Sequence, residues 1–138
     1  MFDTNIVVAG LLWQGPPRRL LDQAIDATIL LYSSPTLIDE LTHTLGYPKF
    51  AARIQHAGTD IDTLVGRYTA LASLVLPRAT PRVVERDPDD DHVIACALAA
   101  KAQLIVSGDK DLLVLDSYRN IAIVTPAQAI ACIEATAK

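Results

Sequence analysis

Asp3, Glu40, Asp91 and Asp109 are four acids far apart in the chain that an α/β fold can bring to one rim. Carboxylates packed within a few ångströms repel one another and each resists ionising. Divalent cations turn that repulsion into binding, and hard oxygen ligands select magnesium or manganese. Two such ions about 4 Å apart activate a water and stabilise the leaving oxygen of a phosphodiester. Each acid also has a plainer role open to it. Asp3, ahead of Thr4 and Asn5, suits the cap of a first helix. Glu40 can be a solvated helix residue, although it lies nearer than Asp39 to the edge of the apolar face set by Leu37, Ile38, Leu41 and Leu45. Asp89, Asp90 and Asp91 complement a helix N-terminus, and Asp109 after Gly108 fits a turn that caps the next helix. Taken singly, every acid is better explained by structure. The order and placement of the four together favour a metal site.

Other chemistries lack their residues. His43, His56 and His92 have no metal-ligand spacing and read as surface or cap residues. No GxGxxG, GxxxxGKS/T or GxSxG segment occurs, so dinucleotide, P-loop and α/β-hydrolase chemistry have no direct support. Cys96 and Cys132 lie in Ala-rich apolar stretches without a CxxC or Cys/His cluster, and both are expected to behave as small buried hydrophobes.

The elements that must position the acids alternate in type. Thr4–Trp13 reads as a helix after a very short strand, and a second helix runs from Pro17 to Ala27. Thr28–Tyr32 reads as a buried parallel strand. Ser34-Pro35 is an N-cap with proline at the first helical position, opening a helix to Leu45. A short helix is expected over Lys49–His56 and a longer one over Thr59–Leu76, where apolar residues keep a spacing of three and four. Asp87-Pro88-Asp89-Asp90-Asp91 opens a helix to Lys101. Leu104–Val106 is a strand, Asp109–Leu115 a short helix, Ile121–Val124 a last strand, and Pro126 opens the final helix. Short apolar strands alternating with helices give an α/β domain with a mainly parallel sheet covered on both faces. Ligands then bind beyond the carboxyl ends of the strands, where Asp3 and Asp109 fall.

With 138 residues, of which 51% are hydrophobic and 20% charged, the chain has the size and core for one domain, 1–138. No secretory signal or bilayer-length apolar run is present, so a soluble cytoplasmic protein with no membrane contact is expected. The net charge is −4, from 16 acids and 12 bases. Setting the four proposed ligands aside leaves acids and bases equal, and bound cations tilt the local field positive. Charge therefore neither supports nor excludes RNA. Arg18, Arg19, Lys49, Arg53, Arg82 and Arg86 are candidates for phosphate contact, though solvated helix faces explain them equally well.

These residues resemble a known family. Asp3-Thr4-Asn5-Ile6, the Ser34-Pro35 helix with Glu40, Asp87-Pro88-Asp89-Asp90-Asp91 and Ser107-Gly108-Asp109-Lys110-Asp111 occur in the order of the acidic motifs of the PIN domain. Gly15-Pro16-Pro17-Arg18-Arg19-Leu20-Leu21, Tyr47-Pro48-Lys49-Phe50 and Ile123-Val124-Thr125-Pro126-Ala127 look like its bacterial subgroup of toxin components. The resemblance implies a three-layer sandwich with a central, mainly parallel, twisted sheet of four to five strands. It also implies a magnesium- or manganese-dependent endoribonuclease, frequent homodimerisation and often a cognate antitoxin protein. Asp3, Glu40, Asp91 and Asp109 match its acidic positions. Asn5 matches a residue that supports the first aspartate, Ser107 one that orients a metal-bound water or phosphate, and Asp111 a frequent extra acid. Asp89 and Asp90 are assigned to the helix cap. One departure is the start: only Met1 and Phe2 precede Asp3, so either the start is trimmed or the true start lies upstream, and a shortened central strand would loosen Asp3 and lower activity. A degenerate domain of this kind that binds RNA or protein without cutting is the alternative. A metal-dependent phosphatase or phospho-accepting receiver shares the layout, but the Asp-x-Asp nucleophile motif is absent at Asp3-Thr4-Asn5.

Overall fold

The computed structural model describes residues 1–77 and 88–136, with backbone alone at 88–90 and 136. Helices α1 (Thr4–Leu12) and α2 (Pro16–Ile25) lead to strand β1 (Tyr32–Ser33). Three helices follow, α3 (Pro35–Leu45), α4 (Pro48–His56) and α5 (Ile61–Leu71), then strand β2 (Ser73–Leu74). The second half runs α6 (Pro88–Ala100), β3 (Leu104–Val106), α7 (Lys110–Leu113), β4 (Ser117–Tyr118), β5 (Ile121–Val124) and α8 (Pro126–Thr136).

Strand β3 pairs in parallel with β5, and β5 antiparallel with β4. On the other side of β3, Phe2 makes a parallel bridge to Val106. Strands β1 and β2 form a separate parallel pair. The expected α/β layering holds, with the sheet in two small pieces among the described residues. Side chains alternate across it with the two-residue period of a strand. Met1, Ile105, Ile121 and Ile123 pack with Val93, Ile94, Cys96 and Ala97 of α6 on one face. Phe2 and Val106 pack on the other with α1, α2, α3 and α8. Burying both faces is what allows these strands to be short and apolar.

Helices α1 and α2 cross closely at Gly10. A Cβ there would stand 2.7 Å from Leu21 Cδ1 and 3.0 Å from the Pro17 carbonyl oxygen, so only glycine allows this approach. Helix α3 begins as its sequence dictates: Pro35 sits in the first turn and Ser34 Oγ accepts from the Leu37 N–H at 3.3 Å.

Three local expectations are corrected. The strand expected over Thr28–Tyr32 is confined to Tyr32–Ser33. The C-terminal turn of α2 extends into that segment, with the N–H groups of Thr28 and Ile29 donating to the Gln23 carbonyl at 2.9 and 3.4 Å. Ala27 takes the left-handed conformation (φ 61°) that glycine usually supplies. The helix expected to run to Leu76 ends at Leu71, because Ala72 is extended and the next residues pair with β1. Strand β4 was not anticipated: Arg119 and Asn120 both have positive φ and form a two-residue hairpin turn without the usual Asn-Gly signal.

Beyond the amino-terminal end of β3 lies a cleft of about 790 Å³, lined by Leu30, Tyr32, Gln103, Leu104 and Cys132 among others, and by none of the four acids. Cys96 is buried as expected, but Cys132 is exposed on α8, where it borders this cleft, which corrects the expectation that both thiols are buried.

Candidate functional site

Asp3 occupies the N-cap position of α1, yet its side chain makes no cap hydrogen bond. Its Oδ2 instead accepts the Ser107 hydroxyl proton, Oγ to Oδ2 2.9 Å, across 104 positions of sequence. Both residues are buried, Asp3 at 4% exposure and Ser107 at 0%. The Asp3 N–H donates to the Val106 carbonyl at 2.9 Å and Val106 N–H to the Met1 carbonyl at 2.8 Å. The short start therefore does not loosen Asp3: two residues are enough to join the sheet edge.

Ser107 continues the β3–β5 ladder, its N–H donating to the Val124 carbonyl at 2.9 Å. Its Oγ accepts from the Asp109 N–H at 2.9 Å, and Asp109 Oδ1 accepts from the Asp111 N–H at 2.8 Å. A hydroxyl has one proton to give and two lone pairs to receive, so Ser107 joins the end of β3 to the head of α1. Asp109 does cap α7, as its plainer role required. The dull reading of Asp3 fails where that of Asp109 holds.

Asp91 lies in the first turn of α6 and is 1% exposed. Glu40 is half-buried on α3, whereas Asp39 is exposed. Helix α3 packs against both α1 and α6, so the helix bearing Glu40 neighbours the helices headed by Asp3 and Asp91. Among the described residues, no group of three or more His, Cys, Asp or Glu side chains is gathered closely enough to hold a metal ion. The donor types nonetheless fit magnesium or manganese: carboxylate oxygens on Asp3, Asp91 and Asp109, with a hydroxyl on Ser107 beside them. Two helix N-termini, those of α1 and α6, carry acids in the position that the helix dipole favours.

The remaining sequence candidates are dispersed. Asn5 is exposed on α1 and makes no hydrogen bond to Asp3 among the described residues; Ser107 provides that contact instead. Asp111 is half-buried in α7, where its backbone serves Asp109. Arg18 pairs with Asp22 at 3.5 Å and Arg19 with Glu134 at 3.2 Å. Lys49 and Arg53 lie together on α4. Arg82 and Arg86 and the side chains of Asp89 and Asp90 fall outside the described residues. His43 and His56 are exposed and His92 half-buried. No helix among the described residues is long and apolar enough to cross a membrane.

Sequence reasoning gave Ser107 a role toward water or phosphate and missed its grip on Asp3. The spacing of Ser107 two residues before Asp109 signals only that its hydroxyl can receive the Asp109 N–H, and carries nothing about Asp3. It also missed the cluster of rings around Trp13.

Residues 1–111 match the model of the PIN domain family. An uncharacterized protein of Methanocaldococcus jannaschii is 28% identical over 116 residues, covering 83% of this chain and 73% of that relative. No solved structure matches. The family match takes in Asp3, Glu40, Asp91, Ser107 and Asp109 within one continuous span, and the chain belongs to the PIN domain family.

Proposed function

We propose that the protein is a magnesium- or manganese-dependent endoribonuclease whose metal ligands are Asp3, Glu40, Asp91 and Asp109. The family is one of nucleases, which sets hydrolysis of a nucleic-acid backbone as the class of reaction. The observation that carries the assignment is Asp3: a carboxylate at a helix cap that forgoes the cap and is held by Ser107 from another element. The orientation turns the carboxylate away from its own helix and toward the end of β3, where Asp109 follows two residues after Ser107.

In this reading Asp3 and Asp91 are the buried ligands, Glu40 and Asp109 the more accessible ones. Divalent ions held there, two in this reading, would supply an activated water and neutralise charge on the phosphodiester. Ser107 fixes the direction of Asp3 Oδ2, and the cap bond from the Asp111 N–H fixes Asp109 Oδ1. The same reading carries the role of toxin in a toxin–antitoxin pair, with a small antitoxin protein and a homodimer as partners.

A mixed RNA pool incubated with magnesium, manganese or EDTA, and with Asp109→Asn protein in manganese, tests it. Cleavage is expected with either metal, none in EDTA, and a loss of at least a hundredfold in the variant. Cleavage that survives EDTA or the substitution sinks the assignment, and an absence of cleavage in every arm favours a non-cutting binder. Growth arrest on expression of the native chain, but not of Asp109→Asn, tests the toxin role.

A further inference from the structure

Arg53 reaches from α4 to close the far end of α1. Its Nε–H donates to the Leu12 carbonyl at 2.7 Å, and its guanidinium lies 5.5 Å from the centre of the Trp13 ring. Phe50 meets Trp13 edge-on with centroids 6.1 Å apart, and Lys49 Nζ lies 5.1 Å from the Phe50 ring. Tyr47, at the cap of α4, meets His43 edge-on at 5.4 Å. Trp13, Phe50, Lys49 and Arg53 thus bring rings and cations together over the carboxyl end of α1 and the first turns of α4, while the Tyr47–His43 pair lies apart at the junction of α3 and α4.

Fastening α4 to α1 explains part of this cluster, namely half-buried Phe50 and the Arg53 bond to Leu12. It does not explain why Trp13 stays 42% exposed. Nor are the cations neutralised. Arg18 and Arg19 are paired with acids, whereas Lys49 and Arg53 form no ion pair among the described residues. Open rings beside uncompensated cations match one kind of partner: bases stack on aromatic faces while phosphates meet the positive charge. A duplex keeps its bases stacked inside and offers the rings nothing.

We propose that this face is a stacking platform for an unpaired nucleotide of a single-stranded RNA, with Trp13 receiving a base and Lys49 and Arg53 contacting phosphates. The proposal rests on RNA being the substrate, as inferred above, and adds the place on this chain where an unpaired stretch is held. Helix α1 rises about 1.5 Å per residue, which sets Trp13 roughly 15 Å from Asp3 along its axis. That axial distance is comparable to the length of a few nucleotides.

Trp13 is the one tryptophan of the chain, so its fluorescence reports the platform directly. The titration is made in EDTA with an oligouridine, with a blunt RNA duplex and with polyphosphate. Saturable quenching by the oligouridine, at least tenfold weaker or absent with the other two, is the expected result. Trp13→Ala weakens oligouridine binding, followed by anisotropy of a labelled strand, about tenfold or more, while Trp13→Phe retains most of it. Lys49→Ala flattens the slope of log affinity against log salt by about 0.7. Quenching by polyphosphate equal to that by RNA, no quenching, or native affinity in Trp13→Ala overturns the platform. The two readings fail separately. Metal-dependent cleavage without quenching removes the platform and keeps the nuclease. Quenching without cleavage under any metal keeps the platform and removes the nuclease.

Discussion

Ser107 gives its only hydroxyl proton to Asp3 and receives the Asp109 N–H, so its removal disturbs two acids at once. Ser107→Ala is expected to destabilise the fold by about 1–3 kcal/mol, the cost of leaving buried partners unmet. If Asp3 and Asp109 hold metal as proposed, cleavage should fall further than stability does, by about 10–100-fold, the usual cost of removing a group that orients a metal ligand. Comparing urea melts with initial cleavage rates at saturating manganese separates the two effects; equal activity in the variant would remove Ser107 from the site. At this scale the sequence was only partly legible. The four acids could be nominated from their order, but whether the Asp3 side chain caps its helix or turns to another element could not be read. That distinction depends on a hydroxyl more than a hundred residues away, a contact that no local pattern encodes.

Helix α3 shows how an element presents one of those acids. Ser34 Oγ caps it, Leu37 and Leu41 anchor it to opposite sides of the core, and Glu40 is left half-buried between them. Ser34→Ala is expected to cost about 1 kcal/mol, read as a lower urea midpoint with an unchanged slope; a changed slope would mean the helix had moved rather than frayed. Boundaries set by strong local chemistry were legible in the sequence. Ser34-Pro35, Pro126 and the Leu104–Val106 run all stand where they were expected. Boundaries decided by tertiary pairing were not. The apolar spacing of α5 continues past Leu71, but pairing with β1 takes the next residues, their N–H groups donating to the Leu31 and Ser33 carbonyls at 2.8 and 2.9 Å. Likewise Ala27 closes α2 in a conformation that alanine rarely signals.

Across the molecule, two cores on opposite faces of a small sheet hold the site. Cys96 lies within one of them with no exposed surface, and burial pushes its thiol from 9.0 up to about 11. A raised acid of this kind contributes stability that is intact below about pH 9. Rising pH then ionises the thiol in the unfolded chain first, so the contribution is lost between pH 9 and 11. Melting temperature should therefore fall over that window, and less steeply in Cys96→Ala; parallel profiles would refute the assignment. A thiol reagent at pH 8 should label exposed Cys132 in the native protein and Cys96 only after unfolding. The layering and the segregation of apolar faces were legible in the sequence because they follow from composition and period.

Helix α1 is unbroken from Thr4 to Leu12 and is pinned against α2 at Gly10. Asp3 stands at one end and Trp13 at the other, so the helix acts as a ruler. A strand gripped at Trp13 and cut at Asp3 would be severed at a constant offset from its anchored bases, whatever the letters between them. Such an enzyme would recognise length before spelling, and the ends of its fragments would record the length of one helix.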